Sequence, residues 1–128
     1  MRTRLLCVLL LLAAAGTAAS AHHSYAEYFR DQKVAIEGTI EHLTLGNPHA
    51  ILSLKTDDGL MFTAEWGNAP QLTRSGFVAG MLVVGDRVVV TGSPSRDPEV
   101  HRMALVTEIR RMRDGWRWSR NGVSLPEY

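Results

Sequence analysis

The chain reads as all-β: a small five- to six-stranded OB-like barrel with one short helix between strands three and four. Three observations predict this. Apolar residues recur at every second position through several separate stretches, the period of half-buried strands. Asp-Gly and Gly-Asn-Pro signals punctuate those stretches as turns. One helix-cap signal falls after the third stretch, where an OB-type barrel carries its helix. A flat meander or a small sandwich shares the same string of elements.

Taken in order, Ser24 to Gln32 is a polar lead-in holding Tyr25, Tyr28 and Phe29, either a helical turn or an arm lying on the domain. Lys33 to Leu45 alternates, with Val34, Ile36, Gly38 and Ile40 on one face, and reads as a long first strand that bends or bulges at Gly38. Gly46-Asn47-Pro48 ends it, since proline cannot donate to a ladder. His49 to Thr56 alternates again, with Leu52 and Leu54 on one side and His49, Ile51 and Ser53 on the other. Asp57-Asp58-Gly59 turns the chain into a third strand, Leu60 to Trp66, where Phe62, Ala64 and Trp66 share a face.

Asn68 is the expected helix cap, with Pro70 in the first turn and a stop near Gly76. A second element is expected between Phe77 and Val84. Arg87 to Gly92 is a short apolar fourth strand, and Ser93 to Pro98 a loop. Val100 to Met112 is the fifth strand, with Met103, Leu105 and Ile109 expected on one side and Ala104 and Val106 on the other. Asp114-Gly115 leads to a last short strand at Trp116-Arg117-Trp118, after which the tail is expected to be loose.

The first 21 residues carry a different pattern. Arg2 and Arg4, then the uncharged run Leu5 to Ala15, then small residues to Ala21, form the three zones of a secretory signal peptide. The apolar run is short for a membrane anchor, which must cross roughly 30 Å of hydrocarbon. Ala19-Ser20-Ala21 places cleavage before His22, with cuts after Ser20 or Ala19 as alternatives. The expected organisation is a signal peptide over residues 1–21 and a single OB-like barrel domain over residues 22–128. The mature protein is expected in the periplasm, or secreted, without a stable membrane anchor.

Removing Arg2 and Arg4 takes the 14 basic side chains to 12, against 13 acidic ones. A near-neutral exported domain offers no electrostatic case for nucleic acid. The single cysteine, Cys7, leaves with the signal peptide, so disulfide, thiolate-metal and cysteine-nucleophile chemistry leave with it. No nucleophile elbow, P-loop or zinc-helix motif occurs, and no residue set nominates catalysis.

Metal chemistry rests on histidines and carboxylates. A mature N-terminal His22 chelates through its α-amine and its own imidazole, and a second imidazole completes a nearly planar three-nitrogen set that suits Cu(II). Cleavage after Ser20 instead puts His22 second and His23 third, another square-planar copper or nickel arrangement. A terminal His-His pair can equally bind trace metal weakly, without a physiological role. His49, at a strand start behind Pro48, is the expected second imidazole or else a turn-closing side chain. His101 and Glu65 are the remaining metal candidates, and His42 is expected at the barrel face or rim. A second reading is a binding or accessory module in which Trp66, Trp116 and Trp118 meet a small molecule or an envelope protein. Core packing competes for Trp66, and a solvated basic hairpin with cation–π contacts explains Arg110 to Arg120.

His22-His23-Ser24-Tyr25 after the signal, Gly38 and Asn47-Pro48-His49 resemble an uncharacterised family of small exported bacterial proteins. So do Glu65 to Leu72, Gly76 and Gly85 to Pro94. The resemblance covers nearly the whole mature chain. It implies one exported domain, a β-barrel by expectation, and no known activity. The loop after the fourth strand, Arg96-Asp97-Pro98-Glu99, departs from the Asp-Gly usual there.

Overall fold

The computed structural model describes residues 25–127. Seven strands form one sheet: β1 (Val34–Thr44), β2 (Ile51–Lys55), β3 (Met61–Glu65), β4 (Arg87–Pro94), β5 (Arg102–Arg111), β6 (Arg117–Ser119) and β7 (Gly122–Ser124), with helix α1 (Ala69–Arg74) between β3 and β4. The order β3-β2-β1-β4-β5-β6-β7 closes on itself where β3 also pairs with β5. Five strands therefore make a closed OB-like barrel, β6 and β7 extend it, and the one short helix lies where the sequence predicts it.

The length of β1 makes closure possible. Its first half, Val34 to Thr39, pairs with β4, and its second half, Thr39 to Thr44, pairs with β2. The handover occurs at Gly38, where a Cβ would stand 2.9 Å from the Lys55 carbonyl oxygen. Only glycine lets the two backbones approach that closely. A one-residue bulge at Glu41 then shifts the register between Ile40 and His42. It reverses the alternation, so His42 is exposed rather than facing the barrel.

Parallel closure is brief: Thr63 pairs with Arg102 and Ala64 with Met103, and the Thr63 amide donates to the His101 carbonyl at 2.9 Å. Inside sit Ile40, Leu52, Leu54, Val88, Val90, Met103 and Ile109, all buried. Removing these aliphatic side chains from water is the main stabilising term of the fold.

Helix α1 is held by a full capping box: Asn68 Oδ1 accepts from the Gln71 amide, and Gln71 Oε1 accepts from the Asn68 amide. Leu72 is its buried residue. Phe77 to Asp86 forms turns rather than a second regular element, although Phe77 and Leu82 still enter the core. The Arg96 to Glu99 loop is organised by Asp97, whose side chain and carbonyl accept from the Glu99 and Val100 amides. The tail is not loose at first, because β7 pairs with β6 through Gly122 to Ser124.

Strand β5 departs most from simple alternation. Thr91 faces Glu108 and Ser93 faces Ala104, so Leu105, Val106 and Thr107 lie opposite Gly92 alone. Leu105 adopts φ 51°, a left-handed conformation that is costly for a leucine. A Cβ on Gly92 would meet the Ala104 carbonyl oxygen at 2.9 Å, so glycine makes room for the bulge. Met103 and Val106, expected on opposite sides, consequently both join the core, while Ala104 is buried outside that cluster.

Candidate functional site

The lead-in segment is an arm tied across the barrel. The Phe29 amide donates to the Pro94 carbonyl, the Arg96 amide to the Glu27 carbonyl, and Arg96 Nε to the Ala26 carbonyl. The Arg96 guanidinium also lies 4.9 Å from the centre of the Phe29 ring. Tyr28 is buried beneath this clasp, and burial, reinforced by the negative charge of Glu65, raises its phenol pKa. An end held by this many contacts has a definite position.

The arm delivers Tyr25 to His49. Their rings meet edge-on with centroids 6.1 Å apart. His49 follows the cis Asn47–Pro48 bond and is half-buried just before β2. The Ala50 amide donates to the Gly67 carbonyl and the Trp66 amide to the Ala50 carbonyl, so this corner is fixed by backbone pairing to the end of β3. In that register Glu65 pairs with Ile51, two residues beyond His49 on the same outward face.

Glu65 is mostly buried, its side chain 15% exposed. One oxygen accepts from Arg102 at 2.8 Å, while the other, Oε2, is buried with no hydrogen-bond partner. A buried carboxylate oxygen without a donor is costly and therefore informative. His101 lies elsewhere: it stacks on Phe62, which belongs to the opposite face of β3 from Glu65. Among the described residues no three His, Cys, Asp or Glu side chains gather as a metal cluster. His22 and His23 lie outside the described residues.

The three tryptophans are core residues. Trp66 and Trp118 cross edge-on at 4.9 Å between centroids, Phe77 packs on Trp66 at 4.7 Å, and Trp116 adjoins Phe77. Trp118 Nε1 donates to Ser75 Oγ at 2.7 Å, whereas Trp66 Nε1 is buried and unpaired. Trp66 and Trp118 each also present an edge to a cavity of about 260 Å³. Trp116 also meets the Arg111 guanidinium, a cation–π contact of the kind expected for this basic hairpin, although Arg111 itself is buried rather than solvated.

Arg111 is 8% exposed, and Asp114 accepts from it through both carboxylate oxygens at 3.0 and 2.8 Å. It also donates to the Met81 carbonyl, faces Asp86 at 3.5 Å and lies over the Trp116 ring. Those hydrogen bonds from Arg111 to Asp114 raise the guanidinium's pKa and hold the Asp114 carboxyl down at about 2. This charge cluster ties the 77–86 segment to the β5–β6 turn.

No curated protein and no solved structure matches the chain. A family model described as a family of unknown function (DUF6152) matches residues 9–104, spanning the barrel from its arm to the bulge of β5. With most of its length matched, the chain belongs to that family.

Proposed function

We propose that the chain is exported to the periplasm and acts there as a non-catalytic copper-binding protein. In this reading the signal peptide is removed before His22. The freed α-amine and the His22 imidazole then bind Cu(II) together with the His49 imidazole. The contact between Tyr25 and His49 carries the proposal. Two residues lie between His22 and Tyr25, and an extended chain covers about 3.5 Å per residue. The chain therefore keeps the His22 backbone within a reach of roughly 10 Å from that of Tyr25, whose ring meets His49.

Three nitrogen donors in a plane suit Cu(II), the divalent first-row ion with the highest affinity for such sites. Glu65 supplements the set from the same face, its Oε2 being the acceptor without a donor. His23 serves instead of His22 if cleavage follows Ser20. His101 stacks on Phe62, on the face of β3 opposite Glu65, and is not part of the preferred set.

Mass spectrometry of the exported protein, followed by copper titration, tests the proposal. The expected result is a mature chain starting at residue 20, 21 or 22 that takes up one copper ion, with affinity reduced at least tenfold, about 1.4 kcal/mol, by His49→Ala. A different start, or uptake unchanged by His49→Ala, removes the reading.

A further inference from the structure

The cavity of about 260 Å³ against Trp66 and Trp118 carries a second site, independent of any metal. Besides Trp66 and Gly67 after β3, its walls come from four parts of the fold. Gln71, Arg74 and Ser75 come from α1 and its C-terminus, Leu105 and Val106 from the β5 bulge, Trp118 and Arg120 from the β6–β7 hairpin, and Tyr25 from the arm. None of the lining residues is acidic, and two are arginines.

Five of the ten described arginines are paired with carboxylates. Arg87, Arg102, Arg111, Arg113 and Arg117 each stand beside a carboxylate within 3.5 Å. Among the described residues, Arg74 and Arg120 have no such carboxylate, like Arg30, Arg96 and Arg110, and they are the two that line the cavity. The other polar atoms of the wall are largely spent: Ser75 Oγ donates to the Leu72 carbonyl while accepting from Trp118, and Gln71 Oε1 serves the helix cap. The free capacity is therefore chiefly that of N–H donors, the two guanidiniums and the unpaired Trp66 Nε1, and the remaining wall is largely aromatic and aliphatic. Leu105 holds its left-handed φ on this wall, and strained bulge residues concentrate where a strand re-aims a side chain next to a site.

We propose that this cavity binds a small organic carboxylate, with its apolar body against Trp66, Trp118 and Leu105 and its anionic end between Arg74 and Arg120. A guanidinium matches a carboxylate through paired N–H donors, which makes arginine the fitting residue for this ligand class. The volume is just below the roughly 300–1,000 Å³ of common ligand pockets, so a single-ring molecule is the appropriate size.

The test uses the mature protein, freed of metal by chelation, titrated with benzoate and with its neutral analogue benzamide while tryptophan fluorescence is followed. Benzoate is expected to quench saturably with a Kd of about 1 mM or tighter. Benzamide is expected to bind at least tenfold more weakly. The double variant Arg74→Gln/Arg120→Gln is expected to lose at least tenfold in benzoate affinity with unchanged near-ultraviolet circular dichroism. Both side chains are exposed, so the substitutions leave the core intact. Quenching that does not saturate, equal affinity for benzamide, or a double variant that binds as the parent does overturns the proposal. Copper plays no part in the readout, so this outcome is separate from that of the His49 site.

Discussion

At the scale of single residues, the most consequential ionisable group is Asp114. Its carboxyl is drawn from 3.8 to about 2, first by the hydrogen bonds from Arg111. A carboxylate whose folded pKa lies below its unfolded value stabilises the fold fully above the unfolded pKa. That contribution fades as pH falls through the folded one. Stability is therefore expected to decline between about pH 4 and pH 2, and Asp114→Asn should flatten that limb in unfolding titrations across pH. Asp57, hydrogen-bonded by Arg87, and Asp58, bonded by Thr56, share the same direction, so some slope remains. An unaltered slope in the variant would show that the Arg111 cluster does not couple folding to protons. The sequence reading took this run as a solvated basic hairpin with cation–π contacts. Arg110, Arg113, Arg117 and Arg120 are exposed and Arg111 lies over Trp116, but Arg111 itself is buried. The error is physical: a guanidinium is buried once two carboxylates and a carbonyl meet it, and Asp86 and Met81 lie far from it along the chain.

Elements were more legible than residues. Alternation and turn chemistry located the five barrel strands and the helix, because period-two burial and a capped helix start are local properties of the chain. Interruptions of the alternation were harder to place. The bulge at Glu41 turned His42 outward, and the β5 bulge brought Met103 and Val106 into the same core. Such shifts depend on what the neighbouring strand contributes, and Gly92, a glycine inside an apolar strand, was the one visible sign. Gly92→Ala is expected to cost about 1–3 kcal/mol by forcing Ala104 away, lowering Tm by about 4–8 °C per kcal/mol. Gly46→Ala, with nothing closer than 3.9 Å to the new carbon, should stay within about 0.5 kcal/mol of the parent in the same melts. Equal melting temperatures for the two variants would mean that the bulge yields freely.

For the whole molecule, the barrel works as a scaffold whose outer corner meets the arm. Closure fixes the end of β3 beside Ala50, the Arg96 clasp fixes the arm, and the two together place Tyr25 on His49. The sequence could nominate His49 and Glu65 by chemistry and face, since both follow from alternation. It could not show that the arm returns to them, because that depends on the long-range pairing of Tyr28 with Ser95. The cavity was invisible for the same reason: its walls are drawn from α1, β5, β6 and the arm. Trp66 and Trp118 were read as either core or ligand platform, and the structure gives both residues a place in the core and an edge on the cavity.

The central claim is that the amine of His22 and the ring of His49 hold one metal ion. It is tested most directly by titrating Cu(II) into the mature chain and into the same chain carrying one extra glycine ahead of His22, with electron paramagnetic resonance to count bound nitrogens. The account predicts three nitrogens in the authentic chain, and at least a tenfold loss of affinity, about 1.4 kcal/mol, when the amine is displaced. Equal affinity and an identical spectrum for the extended chain would contradict it.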